Sequence, residues 1–517
     1  MPLVGPALAG PAQLHRMVND LAWTRPSEVC LVAGTETWTW RALSDDVDAL
    51  AAHLIAAGLQ QGDRVASLLP NCGELIVFYL ACLRAGLIAT PLNYRYTPDN
   101  IDVALGFSDA RMMVAHAERR EDIAACVRAG TLANGMISVG GEFAGAVPYT
   151  ALMSRAVPQV DMPVIDVDAT ALMFFTSGST GRPKGVMHSI TSFGSIAASF
   201  AQALRLHADD VVFPGGSISH VGSLSTALAG LSTGSTVVLN RSDTPEAFLR
   251  ELRQQEPTVV VALPAALMAF LHDGLATTDD FTSVRLLISG GDKFPVDVER
   301  EFTRISGLPI TETYGLTEAT DCTLGPVDGS AKPGSVGHLC PGYVASIRDD
   351  DGNEVTEGEL WLSGAPVCQG YWNNPEETAE SFSDGWFNTG DVMSVDEDGF
   401  LWFKGRTKQI IVHDGSNIAP QEVEEAVMLH PAVALAGAVG VHNELHGENV
   451  WAYVTLVDGA ERPSPGDIIE VARREIGYKA PEAVFYLDEM PLNSARKVDR
   501  MALQHVAAAH VGAHAKR

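Results

Sequence analysis

The chain has 517 residues, of which 46% are hydrophobic and 19% charged, a composition that supports two to four globular units with sizeable cores. Lys and Arg total 35 against 64 Asp and Glu, and the formal charge of −29 argues against nucleic acid or an acidic membrane surface as a partner. Any anion must therefore bind in a local pocket that opposes the field of the whole protein.

Cysteine usage and apolar runs indicate a cytoplasmic protein. The seven scattered cysteines form no CxxC pair, so neither a zinc site nor a redox pair is expected, and their low, odd number fits a reducing compartment. Residues 1–17 lack a basic segment and a long apolar run, and so predict no secretion signal. The longest apolar run, 259–271, contains Pro264 and is too short to cross a bilayer.

The first part of the chain alternates strand-like and helix-like segments. Residues 62–93 predict a strand–helix–strand unit, because the apolar runs VASLLP and LIATPL flank a segment whose apolar residues have helical spacing. Similar alternation recurs at 210–240 and 257–310. This pattern is typical of an α/β domain with a mostly parallel, helix-covered sheet.

Strand pairs replace this alternation after about residue 333. Asp351-Gly352 and Asp398-Gly399 predict the turns of two hairpins and so a smaller β-rich subdomain.

The sequence pattern changes a second time after Arg406. Residues 420–430 predict a short helix that ends before Pro431, and strand-like segments at 433–440 and 449–456 complete a small α+β unit. The predicted organisation is an N-terminal domain at 1–404, a tight hinge at 405–408 and a C-terminal domain at 409–517.

The segment TSGSTGRPKG, residues 176–185, carries the strongest local signal. It follows the strand-like run ALMFF, and a helix-compatible segment begins at about Ser189. Glycines let the backbone approach an anion, hydroxyl and N–H groups donate to phosphate oxygens, and Lys184 supplies a positive charge. The spacing is not that of a Walker A loop. The alternative interpretation is a flexible Ser/Gly surface turn.

TSGSTGRPKG resembles the signature loop of the adenylate-forming (ANL) superfamily, which includes acyl-CoA synthetases, nonribosomal peptide adenylation domains and firefly luciferase. The segments LLISGGDKFP, TYGLTEA, FNTGD, GRTKQIIVHDGSNIAPQEVE and YKAP with NSARKVDR resemble the family's other motifs, and the resemblance covers nearly the whole chain. It implies a large AMP-binding (adenylation) domain of helix-covered, mostly parallel sheets with a β-rich subdomain, and a small, mobile α+β C-terminal domain.

The resemblance implies a nucleotide site in the N-terminal domain. Tyr314 would stack on the adenine, Thr317 would contact the α-phosphate, and Glu318 would hold Mg²⁺, which prefers oxygen ligands; Thr176 is a second candidate metal ligand. In isolation, YGLTEA could instead be the start of a helix. The other residues implied to contact the nucleotide are Thr176, Ser177, Gly178, Ser179, Thr180, Gly181, Lys184, Gly290, Gly291, Thr313 and Gly315.

The resemblance assigns the ribose to Asp391, in FNTGD, and to Arg406. Lys408 falls at the hinge about which the C-terminal domain would swivel between two half-reactions. Lys497 aligns with the lysine that bridges the substrate carboxylate and the α-phosphate. The residues implied to contact the pantetheine arm of coenzyme A are Gly415 and Ser416.

The segment ISHVG resembles a histidine-containing segment beside the acyl pocket, where His220 would gate the path of carboxylate and thiol. Small residues surround it, which predicts a roomy wall and a bulky, largely apolar acid; they are Ser217, Ser219, Gly222 and Ser223. The alternative is a flexible loop with His220 bound to a backbone group.

Five residues depart from the family pattern. Asp292-Lys293 follows the glycines where small residues are usual, Val412 stands where some relatives carry a lysine, and Ser219 stands where relatives often carry an aromatic residue. Arg496 stands where glycine is usual, which puts the geometry of the Lys497 loop in question, because glycine is often needed for unusual φ.

The implied activity is ATP-dependent ligation of a carboxylic acid to coenzyme A through an acyl-adenylate. Mg²⁺ on Glu318, together with Lys184 and Lys497, would neutralise the charge that builds up as a carboxylate attacks a triphosphate. An acyl-AMP ligase that loads a carrier protein shares every adenylation motif and remains an alternative. A luciferase-like oxygenase and a nucleotide-binding regulator are further alternatives, and the sequence leaves open whether the chain forms a homodimer.

Overall fold

The structure, a computed structural model, describes most of the chain. The described residues are 2–177, 183–241, 244–264, 266–267, 270, 276–291, 296–409, 411–413, 416–443, 447–493 and 497–514. Within them, no helix is long and apolar enough to cross a membrane.

The strands are short and spread over the whole chain. They are β1 (Leu3–Val4), β2 (Val29–Ala33), β3 (Glu36–Thr39), β4 (Arg64–Leu68), β5 (Ile88–Pro91), β6 (Met112–His116), β7 (Met136–Val139), β8 (Ala146–Pro148), β9 (Thr170–Ser177), β10 (Pro183–Ser189), β11 (Val211–Phe213), β12 (Thr236–Leu239), β13 (Val259–Val261), β14 (Leu286–Gly290), β15 (Ile310–Leu316), β16 (Ala319–Leu324), β17 (His338–Leu339), β18 (Tyr343–Arg348), β19 (Glu357–Gly364), β20 (Gly370–Tyr371), β21 (Phe382–Ser383), β22 (Trp386–Val395), β23 (Leu401–Arg406), β24 (Ile411–His413), β25 (Ser416–Ile418), β26 (Val433–Asn443), β27 (Gly447–Leu456) and β28 (Ala483–Tyr486).

Several helices begin at a proline that follows a capping residue, because proline fits the first helical position, where no N–H bond is needed. Thr97, Thr244, Asn374 and Ser464 each accept a backbone N–H at such a start. The helices are α1 (Met17–Thr24), α2 (Trp40–Ala56), α3 (Gly73–Ala85), α4 (Pro98–Ser108), α5 (Arg120–Ala125), α6 (Tyr149–Met153), α7 (Ile190–Ala203), α8 (Val221–Thr233), α9 (Pro245–Gln255), α10 (Val296–Ser306), α11 (Pro375–Ser381), α12 (Pro420–Met428), α13 (Pro465–Ile476) and α14 (Arg500–His514).

Two large, mostly parallel sheets form the bulk of the fold. One has the order β20-β10-β9-β5-β4-β6-β7-β8, with only the β20-β10-β9 edge antiparallel. The other has the order β17-β16-β15-β14-β13-β11-β12-β2-β3, parallel from β15 to β2. Their central strands are continuous apolar runs such as 286–288, because helices cover both faces of a parallel sheet.

A third sheet has the order β1-β18-β19-β22-β21, with β23 beside β22. It contains both predicted hairpins, and Gly352 and Gly399 adopt positive φ at their turns, at 81° and 83°. Positive φ is the conformation that makes Asp-Gly favourable in tight hairpins.

The chain divides into two compact units. The first comprises residues 1–346, 361–388 and 397–401, and the second comprises 347–360, 389–396 and 402–517. The predicted domain boundary at 405–408 stays a prediction.

The second unit contains a five-stranded sheet of order β25-β24-β27-β26, with β28 beside β27. Successive residues of β26 face opposite sides, so Ala436 and Ala438 pack in the core beneath α12 and α13, while Val439 packs with Tyr453 and Leu503 of α14. This is the α+β unit that the sequence predicts.

The predicted fold class is confirmed. Residues 62–93 form β4, α3 and β5, and the segment after Arg406 contains α12 at the predicted place, Pro420–Met428. Strand β10, which directly follows the phosphate loop and precedes α7, was not predicted from the sequence.

Candidate active site

The phosphate-loop segment connects two antiparallel strands. Thr176 of β9 lies opposite Lys184 of β10, so the pairing brings a hydroxyl residue and the lysine to the two sides of the loop. Gly185 follows at a crowded position, where an added Cβ would lie 2.8 Å from Met173 Sδ and 3.1 Å from Trp372 Cβ. Ser177 ends β9, and the predicted loop residues Gly178, Ser179, Thr180 and Gly181 lie outside the described residues.

Lys184 has two defined partners in the first unit. Its ammonium forms an ion pair with the carboxylate of Glu377, in the first turn of α11. It also lies 5.1 Å from the ring centroid of Tyr371, within the range of a cation–π contact. Both charged side chains are largely shielded, with 18% of Lys184 and 24% of Glu377 exposed.

Thr317 and Glu318 form the tight turn between β15 and β16, not the start of a helix. The backbone carbonyl of Thr317 accepts a hydrogen bond of 2.8 Å from His188 Nε2, and the Glu318 carbonyl accepts one of 2.8 Å from the Cys368 N–H. The Tyr371 hydroxyl donates to Glu318 Oε1 at 2.9 Å. Two bonds to backbone carbonyls therefore fix the turn, and the bond from Tyr371 orients the Glu318 carboxylate.

His188 acts as a neutral donor. Its ring is fully buried and contacts Phe174 and Phe193, with ring centroids 6.2 and 5.5 Å away. Burial lowers the pKa of His188 to about 4, so the imidazole is uncharged near neutral pH and Nε2–H donates to the Thr317 carbonyl.

Five predicted nucleotide residues gather at the carboxyl ends of two adjacent parallel strands, where ligands bind in open α/β sheets. Gly290 of β14 pairs with Thr313 of β15, and Tyr314 and Gly315 follow. An added Cβ on Gly290 would lie 2.5 Å from the Thr313 carbonyl oxygen, so only glycine fits. Gly291 follows with φ of 85°, again favouring glycine.

A buried carboxyl group lies close to this turn. Asp321 in β16 is 8% exposed, and its Oδ2 accepts a hydrogen bond of 2.7 Å from the Ser225 hydroxyl of α8. Burial raises the pKa of Asp321 to about 7, so this carboxyl group changes its protonation state near neutral pH.

His220 immediately precedes α8 as its N-cap residue, without a side-chain capping bond. The ring is exposed, and Nε2 lies 3.5 Å from Asn93 Nδ2. Of the small residues around it, Ser219 is buried, whereas an added Cβ on Gly222 would meet nothing within 4 Å. Open space therefore adjoins the first turn of α8.

The predicted ribose residues meet in the second unit. Arg406 Nε lies 3.1 Å from Asp391 Oδ1, an ion pair in which the carboxylate is almost fully buried and the arginine is half exposed. The Thr389 hydroxyl donates to the Leu360 carbonyl at 2.8 Å and accepts the Asp391 N–H at 3.1 Å, which fixes the strand segment that carries Asp391.

Lys497 is exposed in the second unit, and its backbone pairs with that of Asn493. Its N–H donates to Asn493 Oδ1 at 3.0 Å, and the Asn493 N–H donates to the Lys497 carbonyl at 2.8 Å. Three residues later, Arg500 forms a two-pronged ion pair with the buried Glu424, at 3.0 and 2.6 Å. This ion pair anchors the start of α14, which follows Lys497; Arg496, where glycine is usual, lies outside the described residues.

For the remaining predicted residues of this unit, the structure describes only the backbone, or the residue lies outside the described ranges. Lys408 lies in the short 3₁₀ turn Thr407–Gln409, and Ser416 begins β25. Gly415 lies outside the described residues.

Comparison with known proteins identifies the family. A family model described as AMP-binding enzyme matches residues 20–372, and one described as AMP-binding enzyme C-terminal domain matches 422–497. A long-chain-fatty-acid–CoA ligase of Yersinia pestis is 31% identical over 95% of this chain and 94% of its own, and a feruloyl-CoA synthase of an Amycolatopsis species is 32% identical over 92% and 94%. The crystal structure of ATP-bound MatB from Rhodopseudomonas palustris matches with a TM-score of 0.87, at 28% identity over 96% and 99%.

The chain therefore belongs to the AMP-binding enzymes, as an acyl-CoA synthetase of the adenylate-forming superfamily. It is an AMP-forming acid–thiol ligase that acts on a carboxylic acid with ATP and coenzyme A.

Sequence reasoning missed three residues that contact the predicted site: Tyr371, Glu377 and His188. Tyr371 and Glu377 come from the segment GYWNNPEE, where the helix start Asn374-Pro375 accounts for an acidic residue in the first turn. The aromatic residues Tyr371 and Trp372, shortly before this helix start, were the signal that could have pointed to the site. Nothing in the sequence distinguishes His188 from an ordinary core histidine. Only its hydrogen bond to the Thr317 carbonyl links it to the site.

Proposed function

We propose that this ligase activates a bulky, largely apolar carboxylic acid as an acyl-adenylate and transfers the acyl group to coenzyme A. The observation that carries the site assignment is the convergence of Lys184 and Glu318 on one tyrosine, Tyr371, beside the phosphate-loop hairpin. A triphosphate site needs a cation that neutralises phosphate charge and a carboxylate that holds the metal counter-ion. Both groups must be held in position near each other.

In the first half-reaction, a substrate carboxylate oxygen attacks the α-phosphorus of ATP, and the bond to the pyrophosphate oxygen breaks. Two anions must meet, so the positive charges of Lys184 and Lys497 stabilise the transition state. Thr317 donates to the α-phosphate, Tyr314 stacks on the adenine, and Asp391 accepts hydrogen bonds from the ribose hydroxyls beside Arg406.

Magnesium fits the donor set at this turn. Mg²⁺ is usually held by one or two carboxylates together with substrate phosphates. The described residues include no cluster of three or more His, Cys, Asp or Glu side chains that would make a metal cage. Glu318, with the Thr176 hydroxyl as a second candidate, would hold the ion, which when bound screens the charge of the triphosphate.

In the second half-reaction, the thiol sulfur of coenzyme A attacks the acyl carbonyl, and AMP leaves with the bridging oxygen. We propose that the chain swivels at Lys408 between the two steps, so that Lys497 serves adenylation only. Gly415 and Ser416 then contact the pantetheine arm, and His220 gates the approach of the thiol.

The class of acid follows from the residues near α8. The open space beside Gly222 would accommodate a large acyl group, and burial of apolar area contributes roughly 25 cal/mol per Å². The two relatives described above are named for a long-chain fatty acid and for feruloyl-CoA, both bulky, which supports the same class.

Two observations support coenzyme A over a carrier protein as the acceptor: the YKAP segment is more typical of coenzyme A ligases, and both relatives are named for coenzyme A products. We place the reaction in the cytoplasm, in agreement with the seven cysteines, all free and buried. Whether two chains associate is a separate question for size measurements in solution.

A panel of acids tests the proposal. The enzyme is incubated with ATP, Mg²⁺, coenzyme A and one of acetate, a medium-chain fatty acid, an aryl acid or a polycyclic acid, and the products are identified by mass. We expect acyl-CoA, AMP and pyrophosphate, with kcat/KM highest for a bulky acid. A maximum for acetate would overturn the acid class. Acyl-AMP that reacts with a carrier protein but not with coenzyme A would overturn the acceptor.

A further inference from the structure

Glu377 is a carboxylate in direct contact with the lysine that the phosphate loop supplies. The two residues are 193 positions apart, so the contact depends on the fold and not on local sequence. An Asn374 cap and the hydrogen bond from the Tyr371 N–H to Thr378 Oγ1, at 3.0 Å, fix the start of α11 that carries Glu377.

One group holds Lys184 in position, and a different group neutralises its charge. The Tyr371 ring lies against the ammonium and is itself held by its bond to Glu318, so it keeps Lys184 in position whether or not a carboxylate is present. Glu377 adds a negative charge to the same ammonium. At a largely shielded position this charge weakens the attraction of Lys184 for any other anion, because partial burial reduces screening by solvent.

We propose that Glu377 is an internal counter-anion that competes with phosphate groups for Lys184, and so limits how tightly the free enzyme binds pyrophosphate and ATP. This inference rests on the proposed role of Lys184 in binding the triphosphate. When pyrophosphate leaves, Lys184 pairs with Glu377 again, so the departing product does not leave an unpaired, partly buried cation behind. A buried cation without a partner is unfavourable, and the exchange of one anion for the other avoids that state.

The test is a titration of the full-length enzyme with magnesium pyrophosphate, and separately with magnesium ATP, by calorimetry. Glu377→Gln removes the charge while keeping the shape of the side chain. We expect pyrophosphate to bind about 3- to 10-fold more tightly than to the wild type, and ATP to shift in the same direction. The matched control is Glu376→Gln, the exposed neighbour in the same helix turn, for which we expect no change.

A gain of affinity separates this role from a structural one, since a disturbed fold weakens binding. Pyrophosphate affinity that is unchanged or lower in Glu377→Gln would overturn the inference. Glu377→Asp keeps the charge and should stay closer to the wild type than Glu377→Gln; equal affinity gains in both variants would also overturn it. If the wild type itself bound neither ATP nor pyrophosphate, the proposed function would fail instead.

Discussion

The hydroxyl of Tyr371 donates a 2.9 Å hydrogen bond to Oε1 of Glu318, across 53 residues of sequence. Because the same ring lies 5.1 Å from the Lys184 ammonium, one side chain orients both the carboxylate and the cation of the proposed phosphate site. Burial, together with the neighbouring Glu318 charge, raises the pKa of Tyr371 well above its usual range, so the phenol keeps the proton it donates.

Removing this hydroxyl tests whether it orients Glu318. Tyr371→Phe keeps the ring for Lys184 but loses a hydrogen bond to a charged group, worth about 1.5–3 kcal/mol. We expect the Mg²⁺ concentration that gives half-maximal adenylation to rise by roughly 10-fold, because each 1.4 kcal/mol corresponds to about a factor of ten. The measurement is pyrophosphate release at varied Mg²⁺ with saturating ATP. An unchanged Mg²⁺ dependence would show that Glu318 does not need Tyr371.

Lys497→Ala separates the two half-reactions. Loss of a charge that stabilises the transferring phosphate typically costs a factor of about 10² to 10³. We expect that loss in acyl-AMP formation, while thioester formation from supplied acyl-AMP is retained far better. Lys404→Ala, an exposed lysine of the same unit, is the control and should leave both steps intact. Equal losses in the two half-reactions would contradict the assignment of Lys497.

Asp321 predicts a specific dependence of stability on pH. Its pKa is raised from its ordinary value near 4 to about 7, so the stability associated with this group is fully present below about pH 4 and is lost as pH rises through about 7. Asp321→Asn cannot ionise and should lack this loss. Asparagine also tolerates the φ of 52° at this position.

Calorimetric Tm values check the Asp321 prediction. We expect Asp321→Asn to gain Tm relative to the wild type on going from pH 5 to pH 8. Asp384→Asn is a matched control, because Asp384 has a similar φ of 50° but is exposed, and its Tm difference should not change with pH. A difference in Tm between wild type and Asp321→Asn that stays constant over this pH range would contradict the raised pKa of Asp321.

Gly222 is the position at which to narrow the proposed acyl pocket. A larger side chain at the buried Ser219 would have to displace its neighbours, whereas Gly222 faces open space within the first turn of α8. We expect Gly222→Leu to lower kcat/KM for a bulky acid at least 10-fold and for a short acid less than 3-fold, since the added side chain occupies volume that only the larger acid uses. Gly222→Ala should have an intermediate effect. Equal losses for both acids would contradict the pocket assignment.

The sequence predicted those features that depend on local pattern. The alternation that forms β4, α3 and β5, the Asp-Gly turns at 351–352 and 398–399 and the start of α12 at Pro420 all follow from periodicity and turn chemistry. The family motifs also located the strand ends at Gly290 and Thr313, which the fold brings side by side.

Features that depend on tertiary contacts could not be predicted. The segment that forms β10 begins Pro-Lys-Gly, which has low strand propensity, and it becomes a strand through pairing with β9 and β20. The contacts of Lys184 with Glu377 and of His188 with Thr317 join residues far apart in sequence, so no spacing rule could reveal them.

The central claim is that the acid is activated by transfer of its own oxygen to the α-phosphorus of ATP. The most direct measurement uses the preferred acid with both carboxylate oxygens labelled with ¹⁸O, together with ATP and coenzyme A, and determines the mass of the AMP and pyrophosphate formed. Because the bridging oxygen of an acyl-adenylate leaves with AMP, we predict one ¹⁸O atom in AMP, none in pyrophosphate and one in the acyl-CoA. Unlabelled AMP, or label in inorganic phosphate with release of ADP, would contradict the account.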